Sequence, residues 1–248
     1  MKLLIDSGNS RLKWAILNAK GQLSIFVVDN QEVTQNYLFA EWSTYPPPEQ
    51  VLIASVATHT LVSVLLNALD KIWPGVQISL LKSQALAYGV INCYEQADKL
   101  GVDRWLALIA AHHYYAGASC IVDCGTAITV DVITAGGVHK GGLISPGIAL
   151  MKKALAVETA NLFYKNSAYP IGLATVTESA IYNGTLYAGL GLIERVLTQL
   201  SPDTQLILTG GDAALIAAQL STPFIIDTEL VFKGLSIIAK HSNVSASN

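Results

Sequence analysis

Lys2-Leu3-Leu4-Ile5-Asp6-Ser7-Gly8-Asn9-Ser10 and Ser119-Cys120-Ile121-Val122-Asp123-Cys124-Gly125-Thr126-Ala127 share one plan. Each is a short apolar run with an aspartate at its end, followed by a glycine among small polar residues. Asp6 and Asp123 lie 117 residues apart in a chain of 248, close to half its length. Two D-x-G turns can arise by coincidence. A repeat of this size instead suggests duplicated domains facing one another across a cleft.

Working outward from each turn gives the same order of elements twice. After the strand 2–6, Arg11 to Leu17 and Leu23 to Val28 read as a hairpin about Ala19-Lys20-Gly21-Gln22. A mixed helix over 31–42, the break at Pro46-Pro47-Pro48, and a strand over 51–56 follow. A helix over 58–73 has apolar residues at helical spacing, with Thr58 as its cap, and a strand covers 76–81. The second half restarts at Ser119, with strands over 119–124, 128–134 and 138–141 and helices over 147–157 and 177–200. A strand over 205–209, a helix from Asp212, a strand over 224–226 and a last helix from Glu229 complete it. Counting the two helices before Gln205 as one element, both halves read βββαβαβ, the second with a closing helix: an α/β fold with a mixed sheet in each domain. The boundary is expected between residues 117 and 118, giving domains 1–117 and 118–248.

Hydrophobic residues make up 52% of the chain and charged residues 13%, which supplies a sizeable core and excludes disorder. The mean hydropathy of +0.44 is high. Yet the longest uncharged stretches, 50–69 and 105–122, carry Ser, Thr, His and Asn, and fit doubly covered parallel strands better than a membrane span. Only Leu3, Leu4 and Ile5 separate Lys2 from Asp6, too few for an export signal. Cys93, Cys120 and Cys124 form no CxxC pair and fit reduced thiols in a cytoplasm. Cys120 and Cys124 with His112 and His113 lack convincing zinc spacing, so small buried side chains are the expected role. The net charge of −3, with no basic run beyond Lys152–Lys153, gives no duplex-binding surface.

A strand ending in Asp and followed by Gly and small hydroxyl or amide residues exposes backbone N–H groups that can hold phosphate oxygens. The Asp can hold a metal or its waters. No Walker A loop is present. Leu208-Thr209-Gly210-Gly211-Asp212 closes a strand and opens a helix, which suits an adenosine or phosphate against backbone.

Six segments in order resemble type III pantothenate kinases. They are Asp6-Ser7-Gly8-Asn9-Ser10, Gly101-Val102-Asp103-Arg104, Asp123-Cys124-Gly125-Thr126-Ala127-Ile128-Thr129, Gly142-Leu143-Ile144-Ser145-Pro146-Gly147, Thr177 with Ala180 and Gly184, and Thr209-Gly210-Gly211. The resemblance implies duplicated ribonuclease-H-like domains of the actin-like ATPase superfamily in a homodimer. It also implies ATP-dependent phosphorylation of pantothenate, the first step of coenzyme A biosynthesis. It assigns ATP binding to Asp6, Ser7, Gly8, Asn9, Ser10, Arg11, Leu12 and Lys13, with Thr126 from the second domain. Substrate contacts fall to Tyr94, Gly101, Val102, Asp103, Arg104 and Thr177, and Asp103 becomes the general base. Asp123 becomes the ligand of a monovalent cation, K⁺ or NH₄⁺, beside Mg²⁺ or another divalent cation with ATP.

Phosphoryl transfer to an alcohol needs charge neutralisation, alignment and a carboxylate near the hydroxyl. Asp103 supplies the carboxylate, and Arg104 can take a substrate carboxylate in bidentate fashion. Position alone also allows Asp103 as a cap of a helix over 102–116, Asp123 as a turn former, Tyr94 as a packing residue and Thr177 as a cap. Where some relatives carry an Asn after Asp-Arg, this chain has Trp105-Leu106-Ala107. The competing functions are a kinase of another small acid or sugar, a non-catalytic transcriptional accessory factor, and a motion-coupled actin- or chaperone-like ATPase. A regulator has no need of Asp6, Asp103, Arg104 and Asp123 together.

Overall fold

In the computed structural model, which describes residues 1–159, 162 and 167–241, the chain divides into two compact units. Unit 1 contains Met1–His113 and the segment from Leu230 onward; unit 2 contains Tyr114–Glu229.

Unit 1 opens with β1 (Lys2–Ser7), β2 (Arg11–Leu17) and β3 (Leu23–Asp29). Then come α1 (Gln35–Trp42), β4 (Gln50–Ser55), α2 (His59–Ile72) and β5 (Ile78–Leu80). Its sheet runs β3-β2-β1-β4-β5, antiparallel across the hairpins and parallel from β1 to β5. β1 is central and buried throughout, which explains its uninterrupted apolar run. Leu3 and Ile5 join Trp14, Trp42 and Trp73 beneath α1 and α2. Thr34 and Thr58 cap these helices through Tyr37 N–H at 3.1 Å and Leu61 N–H at 3.4 Å.

The sequence reading missed a two-stranded ribbon, β6 (Leu86–Ala87) and β7 (Val90–Ile91), ahead of α3 (Val102–Tyr114). It turns through Tyr88 and Gly89 at φ 52° and 77°. This mirror-image turn usually announces itself with Asn or Asp where Tyr88 stands.

Unit 2 repeats the plan. β8 (Ser119–Cys124), β9 (Ala127–Ile133), β10 (His139–Pro146), α4 (Ile148–Glu158) and α5 (Thr177–Leu197) come first. β11 (Gln205–Thr209), α6 (Ala213–Ala217) and β12 (Phe224–Ile226) follow. The sheet order β10-β9-β8-β11-β12 has the same directions as in unit 1. β10 is longer than expected, because residues 142–146 continue the ladder against β9 past an irregularity between His139 and Gly141.

The last helix departs from the expected two halves. α7 (Leu230–His241) groups with unit 1. With Leu3 and Ile5 on one face of β1, Leu4 takes the other, where α7 packs and the Lys2 ammonium donates to the Ala239 carbonyl. Gly234 meets α3 so closely that a Cβ would overlap the Leu106 carbonyl. Leu230, Phe232, Leu235 and Ile238 need that cover to leave water.

The apolar residues of α5 find their cover within unit 2. Leu186, Leu190, Ile193 and Val196 pack in unit 2's own core with Cys120, Val122 and Leu208, and Ile181 is buried as well. Among the described residues no helix is long and apolar enough to cross a membrane.

Candidate active site

The first turn is a tightly held loop between β1 and β2. Asp6 is buried at 8% exposure, and the Lys13 ammonium lies 3.9 Å from its Oδ2. Gly8 N–H donates to the Arg11 carbonyl at 3.0 Å, closing the turn. Asn9 and Ser10 project into solvent, and Arg11 Nε approaches Asp29 Oδ1 at 3.3 Å. Leu12 points into the core, so only its backbone can serve a ligand. Ser7 is fully buried, and its Oγ has no hydrogen-bond partner. One residue outside the sequence reading holds this loop: Asn30 donates Nδ2–H to the Gly8 carbonyl and N–H to the Ser10 carbonyl, both at 2.9 Å.

The second cluster stands at the start of α3. Arg104, only 6% exposed, donates Nη1–H to the Tyr94 hydroxyl at 3.0 Å, and its Cζ sits 5.7 Å from the Tyr94 ring centroid. Asn92 orders this pair by accepting the Tyr94 N–H and donating to the Ala97 carbonyl, both at 3.0 Å. Asp103 is the second residue of the helix and accepts the Arg104 N–H on Oδ1 at 2.8 Å. The helix N-terminus stabilises its charged form. A Cβ on Gly101 would stand 2.6 Å from that oxygen, which is the local reason for glycine there. Val102 is buried and can offer only backbone. Trp105, Leu106 and Ala107 are all buried, so the departure from the family pattern falls in the core.

The third cluster is the Asp123 turn of unit 2, where Gly125 N–H donates to the Ala127 carbonyl at 3.0 Å as Gly8 does to Arg11. The Asp123 carboxylate lies in a cradle of backbone. A Cβ on Gly125 would come 3.3 Å from Oδ1, and one on Gly210, at φ 90°, would overlap it. Thr126 is exposed, and its carbonyl accepts the Gly147 N–H at 2.9 Å. Cys124 lies between Asp123 and Asp212; burial, then those carboxylates, push its thiol up to about 12. Asp212 N–H donates to the Cys124 carbonyl at 2.9 Å. Lys152, noted in the sequence only as half of a basic pair, is 9% exposed with its ammonium 4.6 Å from the Tyr182 ring centroid. Burial lowers its pKa against the opposing pull of Asp212.

Thr177 stands apart from these clusters within its unit. It is exposed as the first residue of α5, and Val176, not Thr177, is the N-cap. With Ala180, Gly184 and Ala188 it lines a groove of about 700 Å³ against Leu150 and Ala154 of α4.

The sequence model of type III pantothenate kinases matches residues 2–199. A type III pantothenate kinase of Nitrosococcus oceani is 35% identical over 98% of this chain and 95% of its own length. The chain belongs to the type III pantothenate kinase family. Members of this family are kinases, and this chain phosphorylates pantothenate with ATP and a divalent cation, in coenzyme A biosynthesis. Solved structures agree on the fold. A Campylobacter jejuni protein, named provisionally as a Baf family transcriptional activator, is 25% identical with a TM-score of 0.62, covering 97% of this chain and 98% of its own. The ADPNP-bound activator of 2-hydroxyisocaproyl-CoA dehydratase from Clostridium difficile is 10% identical, with a TM-score of 0.56 over 100% of this chain and 98% of its own. Each unit accordingly has the ribonuclease-H-like sheet of actin-like ATPases and sugar kinases.

Proposed function

We propose that Asp103 is the general base of the pantothenate kinase reaction and that Arg104 and Tyr94 hold the acceptor. The observation that carries this reading is the Tyr94–Arg104 pair beside Asp103, a buried guanidinium next to a carboxylate on one helix turn. Pantothenate has both a carboxylate and a primary hydroxyl, and the pair supplies one partner for each. Arg104 binds the carboxylate, with the backbone of Gly101 and Val102 closing on the substrate. The hydroxyl proton passes to Asp103 as the hydroxyl oxygen bonds to the γ-phosphorus. The bond from that phosphorus to the β,γ-bridging oxygen breaks, and ADP leaves.

Residues 6–13 take the nucleotide phosphates through backbone N–H groups, with charge from Lys13 and Arg11, and Thr126 contributes from unit 2. The divalent cation held with ATP neutralises phosphate charge. Asp123 holds K⁺ or NH₄⁺, and its surroundings support such an ion: the carboxylate has close backbone on two sides, with no room for a Cβ at Gly210, and among the described residues no group of three or more His, Cys, Asp or Glu side chains offers a divalent-ion cage. Thr177 contributes to the acceptor site.

The homodimer forms over the α4–α5 groove. The small residues Ala180, Gly184 and Ala188 let a second helix approach closely, and Leu150 at 42% exposure offers apolar area. Use of ATP as phosphoryl donor supports a cytoplasmic location. The test is ADP release across a panel of acceptor alcohols, in K⁺ and in Na⁺, with sedimentation alongside. Turnover only with pantothenate, only with K⁺ or NH₄⁺, from a dimer is expected. Equal turnover of unrelated alcohols overturns the acceptor assignment, full activity in Na⁺ the cation, and a monomer at micromolar concentration the dimer.

A further inference from the structure

The Gly8–Asn9 peptide is the exposed crest of the first turn, and its orientation is set from outside the turn. Its carbonyl is bound by Asn30 Nδ2–H at 2.9 Å. In a trans peptide the N–H points opposite to the carbonyl, so tethering the Gly8 oxygen turns the Asn9 N–H away from Asn30. Asn9 itself is exposed, so that N–H is presented outward. Rotated the other way, the peptide would present a carbonyl dipole to the same space and repel an anion. The second tether, Asn30 N–H to the Ser10 carbonyl at 2.9 Å, uses backbone alone and survives any side-chain change.

Unit 2 also tethers its turn from the same station of its repeat, at the next peptide along. Asn30 directly follows β3, and Gly147 directly follows β10, the equivalent third strand. Gly147 N–H donates to the Thr126 carbonyl at 2.9 Å, pinning the turn after Asp123. There the tether needs no side chain, because Gly147 lies against the turn itself; a Cβ would overlap the Gly125 carbonyl. In unit 1 the backbone reaches only Ser10, and the Asn30 side chain reaches the crest.

We propose that Asn30 is the positioning residue of the nucleotide loop, acting through the Gly8–Asn9 peptide without touching ATP. The proposal rests on the reading of residues 6–13 as the ATP-binding loop. The side chain is chosen for its donor. Aspartate, of the same shape, would set a carboxylate oxygen against the Gly8 carbonyl and drive the peptide over; alanine would only release it.

The experiment measures KM for ATP, KM for pantothenate, kcat and Tm for Asn30→Ala and Asn30→Asp. Asp6→Asn serves as a direct probe of the loop. One tethering hydrogen bond corresponds to roughly a five- to tenfold rise in the KM for ATP for Asn30→Ala, with a larger rise for Asn30→Asp. The KM for pantothenate should stay within about twofold, since the acceptor cluster shares no hydrogen bond with Asn30. A merely structural role would lower Tm and raise both KM values together or neither. An unchanged KM for ATP in a folded Asn30→Ala, with Asp6→Asn impaired for ATP, overturns the positioning role alone. An unchanged KM for ATP in Asp6→Asn overturns the reading of the loop. If Asn30→Asp does not fold, Asn30→Ala decides, because it keeps the backbone tether and introduces no charge.

Discussion

Replacing Asp103 by Asn separates its chemistry from its structural bond. Asp103 Oδ1 accepts the Arg104 N–H at 2.8 Å. Asparagine keeps a carbonyl oxygen for that bond and adds no volume, so the helix start and the fit of its side chain beside Gly101 are undisturbed. What is lost is a negative charge in the first turn, about 0.3–1 kcal/mol of helix-dipole stabilisation, and every ability to accept a proton. A Tm drop of a few degrees is therefore the ceiling. Turnover should fall on the order of 10²–10⁴-fold, with the KM for ATP within about twofold. A coupled assay of ADP release at saturating ATP and pantothenate measures the first quantity, and thermal unfolding the second. If Asp103 served only its hydrogen bond to Arg104, Asn would do the same, and kcat would stay within a few-fold of wild type. Near-normal turnover by the folded variant would refute the reasoning.

Tyr94→Phe removes the acceptor of the Arg104 Nη1–H bond while keeping the ring; kcat/KM for pantothenate should fall roughly tenfold, as for a bond to a charged donor, and an unchanged value would contradict the pairing. Lys152→Met should raise Tm at neutral pH, because burial lowers the folded pKa below the ordinary value of 10.5. The unfolded chain then binds that proton more tightly, wild-type stability gains as pH rises through the window below 10.5, and the advantage of Met shrinks there; a lower Tm at pH 7 would contradict this. Of three cysteines, only Cys93 is exposed, and burial first, with nearby carboxylates, raises Cys120 and Cys124 to about 12. Native protein at pH 8 should release about one equivalent of thionitrobenzoate and about three in denaturant; more than one in the native state would show an open core.

The order of elements along the chain was legible because it followed from one repeated signature. Asp6 and Asp123 end buried strands with the same partners to either side, β2 and β4 in one unit and β9 and β11 in the other. The motif residues Tyr94, Asp103 and Arg104 do come together at the start of α3. Asn30 and Lys152 were not legible, because each acts through a contact distant in sequence and has no local pattern. The Tyr88-Gly89 turn was hidden by a tyrosine at a positive φ.

The return of α7 to unit 1 bears on how the chain is made. Unit 2 is one continuous stretch, complete once Glu229 has left the ribosome. Unit 1 is not complete then, although all but one of its elements emerge first. Until α7 follows, the Leu4 face of β1 and the Leu106 backbone that Gly234 covers stay open to water. The later-synthesised unit is thus able to finish folding before the earlier one, whose closure needs contacts across more than 100 intervening residues, the slow class in folding. During synthesis the exposed sheet of unit 1 is the surface most in need of a chaperone.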